Sequence, residues 1–127
     1  MKELIVPEAM KRSYNQFHFA PALLHDGRLY CSGQIGTGAD GDIPSDVKDE
    51  FRNAFTAIEI ILQEAGFSFV DVIEMTTYHT DMPQSLGQFM EVKDEFIAEP
   101  YPAWTAIGAT ALAVPRARVE IKVIAGK

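Results

Sequence analysis

Glu120 is the residue in this chain whose type and setting could most directly do chemistry. It sits in the run Val119-Glu120-Ile121-Lys122-Val123, where apolar and charged residues alternate. A period of two predicts a half-buried strand with the carboxylate on the face opposite the three apolar side chains. Strand carboxylates are mostly solvated or ion-paired, but one in a cleft can orient water or carry a proton. Other reactive types offer less. His18, His25 and His79 lack the spacing of a metal site. Cys31 is the only cysteine, which excludes an internal disulfide and a cysteine-held metal cluster. It lies in an apolar run and reads as an inert buried thiol. Ser32 has no base partner in the pattern, so nucleophilic catalysis has little support. Neither a metal nor an organic cofactor is expected.

Gly33, Gly36, Gly38 and Gly41 form a glycine-rich stretch. A phosphate loop would end in Gly-Lys-Ser/Thr, and a dinucleotide fingerprint would open directly into a helix. Asp40 and Asp42 stand here instead and would repel phosphate, so the stretch reads as a flexible connection.

These residues need elements to position them. Leu4-Ile5-Val6, stopped by Pro7, suits an edge strand. Phe17 to Leu24 reads as a strand with alternating aromatics, and Asp26-Gly27 turns it back into Leu29–Ser32 as a hairpin. Asp46 to Ala65 is the clearest helix: Val47, Phe51, Ala54, Phe55, Ile58, Ile61, Leu62 and Ala65 recur at three and four. Ser45 or Asp46 caps its start, and Gly66 follows its end. Val70 to Asp81 is a strand. A second helix is expected from Ser85, with Ser85 and Gln88 as a capping box and Leu86, Phe89, Met90, Lys93, Phe96 and Ile97 along its inner side. Tyr101 to Ala125 then supplies two strands around a Pro-containing turn. The expected fold is α+β, one mixed six-stranded sheet with two helices on one face, as a single domain over residues 1–127. The other face carries Thr76, Tyr78, Glu120, Lys122 and Ile124, and a bare face of that kind favours oligomerisation.

Composition narrows the partners. The 127 residues carry a net charge of −7, with basic residues scattered singly apart from Lys11-Arg12. Nucleic-acid binding needs a basic stripe, so no nucleic-acid partner is expected. No apolar run is long enough for a membrane span, and the N-terminus lacks a signal-type apolar region, so a cytoplasmic protein is expected.

Several segments resemble the Rid (reactive intermediate deaminase, YjgF-type, endoribonuclease L-PSP-like) family. Pro102-Ala103-Trp104-Thr105 with Val119-Glu120-Ile121 is similar to its Pro-Ala-Arg-Ser and Val-Glu-Ile motifs. Ser32-Gly33-Gln34-Ile35 is similar to its Ser-Gly-Gln-Ile strand end, and Glu64-Ala65-Gly66, Thr76-Thr77-Tyr78 and Thr80-Asp81-Met82 fall in its order. The resemblance implies a chorismate-mutase-like fold and a homotrimer with small-molecule clefts between subunits. In the deaminating members an arginine pairs with the substrate carboxylate, and a glutamate with backbone groups positions water against a carbon–nitrogen double bond. Glu120 is then the implied catalytic residue. Phe19, Ser32, Gly33, Met90, Trp104 and Thr105 are the implied substrate-binding set. Trp104 stands in place of the arginine, Phe19 of a tyrosine and Met90 of an asparagine, all changes toward apolar. A carboxylate buried without its counter-ion is strongly disfavoured. The resemblance therefore implies a deaminase-like hydrolase of a small imine, enamine or related unsaturated ligand, with specificity altered by Trp104. The alternative is a non-catalytic, metabolite-binding homotrimer. Ribonuclease or translation-inhibitor activity ranks below both, given the acidic balance.

Overall fold

The strand that carries Glu120 lies inside the sheet, paired on both edges. The computed structural model describes residues 1–127. Its strands are β1 (Glu3–Ile5), β2 (Ala22–His25), β3 (Arg28–Cys31), β4 (Gln34–Ile35), β5 (Val72–His79), β6 (Ala103–Gly108) and β7 (Val119–Gly126). They form one mixed sheet in the order β1-β2-β3-β7-β5-β6, with β4 also pairing β7. Strand β7 is flanked antiparallel by β3 and β4 on one side and by β5 on the other, while β5 and β6 run parallel. Val119, Ile121, Val123 and Ala125 are buried, and Glu120 faces the other way.

Helices α1 (Lys11–Phe17), α2 (Val47–Glu64) and α3 (Met82–Phe96) complete the fold. Asp46 caps α2 by accepting from the Lys48 and Asp49 amides at 2.9 and 3.1 Å. Gly66, at φ 80°, ends it, and the Phe67 amide donates back to the Leu62 carbonyl. The apolar face expected for α2 is buried against the sheet. Phe55 stacks on Phe89 and Phe96 of α3 at centroid distances of 5.5 and 5.0 Å, which welds the two long helices together. On the surface Arg52 donates two 2.9 Å bonds to Glu95, and these bonds hold that carboxyl below its ordinary range. Asp26 and Gly27 both take positive φ, 51° and 74°, making the tight hairpin turn expected between β2 and β3.

Three expectations are corrected. The sheet has seven strands rather than six, because the glycine-rich stretch contains β4 and is not simply a flexible connection. There are three helices rather than two: Phe17 ends α1, and His18, at φ 61°, turns the chain out of it. The sequence KRSYNQF buries none of its residues, so it carries no apolar stripe to read. The third correction concerns α3, which begins at Met82 with Pro83 in its first turn. The Ser85 hydroxyl donates back to the Asp81 carbonyl at 3.2 Å, so no box forms with Gln88. A capping box forms instead between Ser68 and Asp71. Met90, expected on the inner side of α3, is 45% exposed.

One buried ion pair locks the start of β7. Glu50 of α2 has no solvent exposure. It accepts from the Arg118 backbone amide at 2.7 Å and from Arg118 Nε at 2.6 Å, while Arg118 Nη2 donates to the Pro44 carbonyl at 2.7 Å. Removing one partner of a buried pair leaves the other charge uncompensated. Arg118→Ala is therefore expected to destabilise the fold by about 3 kcal/mol. Urea titration of wild type and variant checks this, and an unchanged midpoint would show that the Glu50 carboxylate is satisfied without the guanidinium.

Candidate functional site

Glu120 follows this lock by two residues and projects from the sheet face away from α2 and α3. Ser32 and Gly33 lie where the chain passes from β3 to β4, and Ile35 pairs directly with Glu120. A β-carbon on Gly33 would fall on the Glu120 carboxylate, so only glycine lets that carboxylate lie against the backbone here. Around this point is a cavity of about 580 Å³. Phe17, Phe19, Ile35, Ala113 and Val114 give it apolar walls. Ser13, Ser32, Gln34 and Thr37 add neutral polar groups, and Glu120 is its one charged lining residue. Ser13 and Phe17 lie four apart on α1 and so share a helix face.

The Glu120 carboxylate makes no ion pair or hydrogen bond within the chain, and its residue is half-buried. The Ser32 hydroxyl donates to the Ala20 carbonyl at 2.6 Å, which fixes it as a positioned polar group and leaves it without a base. Burial pushes the Cys31 thiol up to about 12, so it stays protonated and inert as expected. His18 lines a separate groove of about 660 Å³ between α1 and the β1–β2 edge. That groove carries no carboxylate, so the smaller cavity is the better candidate for chemistry.

Of the residues picked from the sequence, Phe19, Ser32, Gly33 and Glu120 come together in this cavity. Trp104, Thr105 and Met90 do not line it within one chain. Trp104 pairs with Met75 and so points to the helix side of the sheet, its ring 6.0 Å from that of Phe89. Its indole Nε1 donates to Thr77 Oγ1 at 2.9 Å, and Lys93 Nζ lies 5.1 Å from the ring centroid. Thr105 is on the Glu120 face but two strands away, roughly 10 Å across the sheet at about 4.8 Å per strand. Met90 is exposed on α3. Sequence reasoning missed Ser13 and Phe17, which belong to the unmarked helix α1. It also missed Thr37, Ala113 and Val114, which sit in connections with no period. Gln34 and Ile35 were visible in the strand-end motif but were not assigned to the site.

A family model described as Endoribonuclease L-PSP matches residues 10–127. The RutC family protein YjgH of Escherichia coli is 38% identical over 122 residues, covering 95% of this chain and 92% of that protein. A solved structure of protein YjgH superposes with a TM-score of 0.89 at 36% identity, covering 98% of this chain and 95% of that one. The 2-iminobutanoate/2-iminopropanoate deaminase of Bos taurus is 34% identical over 110 residues, covering 84% of this chain and 78% of that enzyme.

Beside Trp104 lies a polar network that carries a pH signature. Thr77 Oγ1 accepts from the indole and stands 2.7 Å from His79 Nε2. The hydroxyl can serve either imidazole tautomer, and in both His79 Nδ1 is a buried atom with no partner. Burial holds the His79 pKa below its ordinary 6.5. The unfolded chain therefore takes up this proton at higher pH than the folded one. The stability from a neutral His79 is full above about pH 6.5 and is lost as pH falls through the folded value. Urea midpoints should drop for wild type as pH falls below about 6.5, and His79→Gln should remove that part of the slope. Parallel profiles for the two proteins would show that His79 does not titrate on unfolding.

Proposed function

The chain belongs to the Endoribonuclease L-PSP family, the Rid or YjgF family of its sequence motifs, and from that premise we propose that it hydrolyses a small imine, enamine or related unsaturated ligand. The observation that carries this reading is the unpaired Glu120 carboxylate, held against Gly33 inside a cavity of otherwise neutral residues. A carboxylate so placed can take a proton from water as the water oxygen bonds to the C=N carbon, then return it to the departing nitrogen. Ser32 and Gln34 orient polar atoms of the ligand, and Phe17 and Phe19 cover its apolar part. A deaminase name on two relatives is consistent with this chemistry. Trp104 in place of arginine takes away the bidentate carboxylate anchor, so amino-acid-derived imines are poor substrates.

The assembly completes the site. The bare sheet face carries Tyr30 and Ile107, 44% and 40% exposed, beside Tyr78 and Ile124. A homotrimer that buried this face would bring the Trp104 and Thr105 edge of one copy toward the Glu120 cavity of the next. A second reading, a metabolite-binding trimer without catalysis, is favoured by one feature: Trp104 is already engaged by Thr77 and Phe89.

Two measurements test these readings. Sedimentation at micromolar concentration should show one species of three chains; a stable monomer would remove the intersubunit site. In a coupled assay of imine consumption, Glu120→Gln should lower the rate about 100-fold or more. Gly33→Ala should lower it too, by displacing the carboxylate. Wild type should hydrolyse imines of serine or leucine weakly at best. Trp104→Arg should gain only slight activity on them, and should lose it when Glu120→Gln is added. Robust wild-type turnover of amino-acid imines would show that another group holds the carboxylate. Turnover that survives Glu120→Gln would remove Glu120 from the mechanism.

A further inference from the structure

We propose that the Glu120 cavity selects a ligand bearing a positively charged nitrogen next to an apolar or aromatic group, with no carboxylate of its own. Three observations converge on this. First, within one chain no lysine, arginine or histidine lines the cavity, so nothing from that chain neutralises Glu120 or would hold an anion there. The nearby basic groups lie outside the lining. Arg118 is bound to Glu50, Arg116 is an exposed side chain 3.8 Å from Asp42, and Lys122 stands one strand repeat along. Second, Phe17 and Phe19 are 63% and 44% exposed, and both line the cavity that holds Glu120. Aromatic faces attract cations as well as apolar groups, so rings near a lone carboxylate suit an organic cation. Third, the chain carries a net charge of −7, which raises the local concentration of cations around an acidic, recessed site.

This inference deepens the hydrolytic reading and rests on it for one point, that the cationic nitrogen belongs to a C=N bond. The substrate is then a protonated imine, an iminium ion whose positive charge faces Glu120. Water forms the new C–O bond and gives a proton to Glu120, leaving a neutral carbinolamine. Glu120 returns that proton to nitrogen, and the C–N bond breaks as the hydroxyl oxygen forms the carbonyl. Ammonia leaves and takes up the hydroxyl proton, so the products are the carbonyl compound and ammonium, and atoms and charge balance. No cofactor takes part in these steps.

The test uses three probes of one shape, phenethylammonium, phenylacetamide and phenylacetate, titrated calorimetrically into the assembled wild-type protein at pH 7. Phenethylammonium should bind at least about tenfold more tightly than phenylacetate, with the amide between them. Glu120→Gln should abolish the preference. Phe19→Ala should weaken phenethylammonium binding while keeping the order of the three, which guards against a Glu120 variant that fails to fold. Equal or tighter binding of phenylacetate overturns the proposal, as does an ammonium preference that survives Glu120→Gln, or no binding of any probe. The two readings fail separately. An ammonium preference without imine turnover sinks the hydrolase and leaves the cation site. Turnover of amino-acid imines without that preference does the reverse.

Discussion

The pairing of Glu50 with Arg118 is the constraint on which the site depends. Both carboxylate oxygens are used, one by a side chain and one by a backbone amide, so the bond fixes main chain as well as charge. Taking a carboxylate to zero exposure is tolerable only with such partners. Through Arg118 the pair ties helix α2 to the first residues of β7, and through Pro44 it also ties down the end of the glycine-rich stretch. A β-carbon on Gly36 would collide with the Glu50 backbone, so the same helix turn sets how closely that stretch approaches. Glu120 inherits its position from this lock: it is two residues on, on the opposite face, with Ile35 beside it.

The sheet then divides the molecule into two environments. On the helix side, Phe51, Phe55 and Phe89 interlock edge to face and face to face, and all three are fully buried. On the other side, the only long charged groups of β7 are Glu120 and Lys122, and the apolar residues around them are only partly covered. The carboxylate thus sits recessed at one corner of a partly apolar face.

Most of this was legible where residues obey a period. The alternation in 119–123 gave both the strand and the direction of Glu120, and the three–four spacing of α2 gave its buried face and both ends. The Asp-Gly pair gave the hairpin. Helix α1 was not legible because it buries nothing, so its residues follow no apolar rhythm, and the cavity wall it supplies through Phe17 was lost with it. Strand β4 was hidden because two residues between glycines are too short to alternate. Met90 was misplaced because its three–four spacing from Leu86 and Lys93 runs along the rim of α3 rather than its inner face. The direction of Trp104 was not legible: it follows from the parallel register with Met75, which only the fold supplies and which turns it to the helix side.

Trp104 is also more than one substitution. Its indole is hydrogen-bonded to Thr77, which faces His79, and Lys93 holds its ammonium 5.1 Å above the ring. An arginine at position 104 would replace that cation–aromatic attraction with two cations at similar range. Their repulsion is about 3 kcal/mol at 5 Å in an intermediate dielectric. It would also displace the indole that donates to Thr77 Oγ1 beside His79, whose Nδ1 already lacks a partner. Tryptophan, threonine, histidine and lysine here are mutually dependent. Position 104 is thus tied into the packing of α3 on β5 and β6, and a substitution there acts on Thr77, Phe89 and Lys93 as well as on the indole itself.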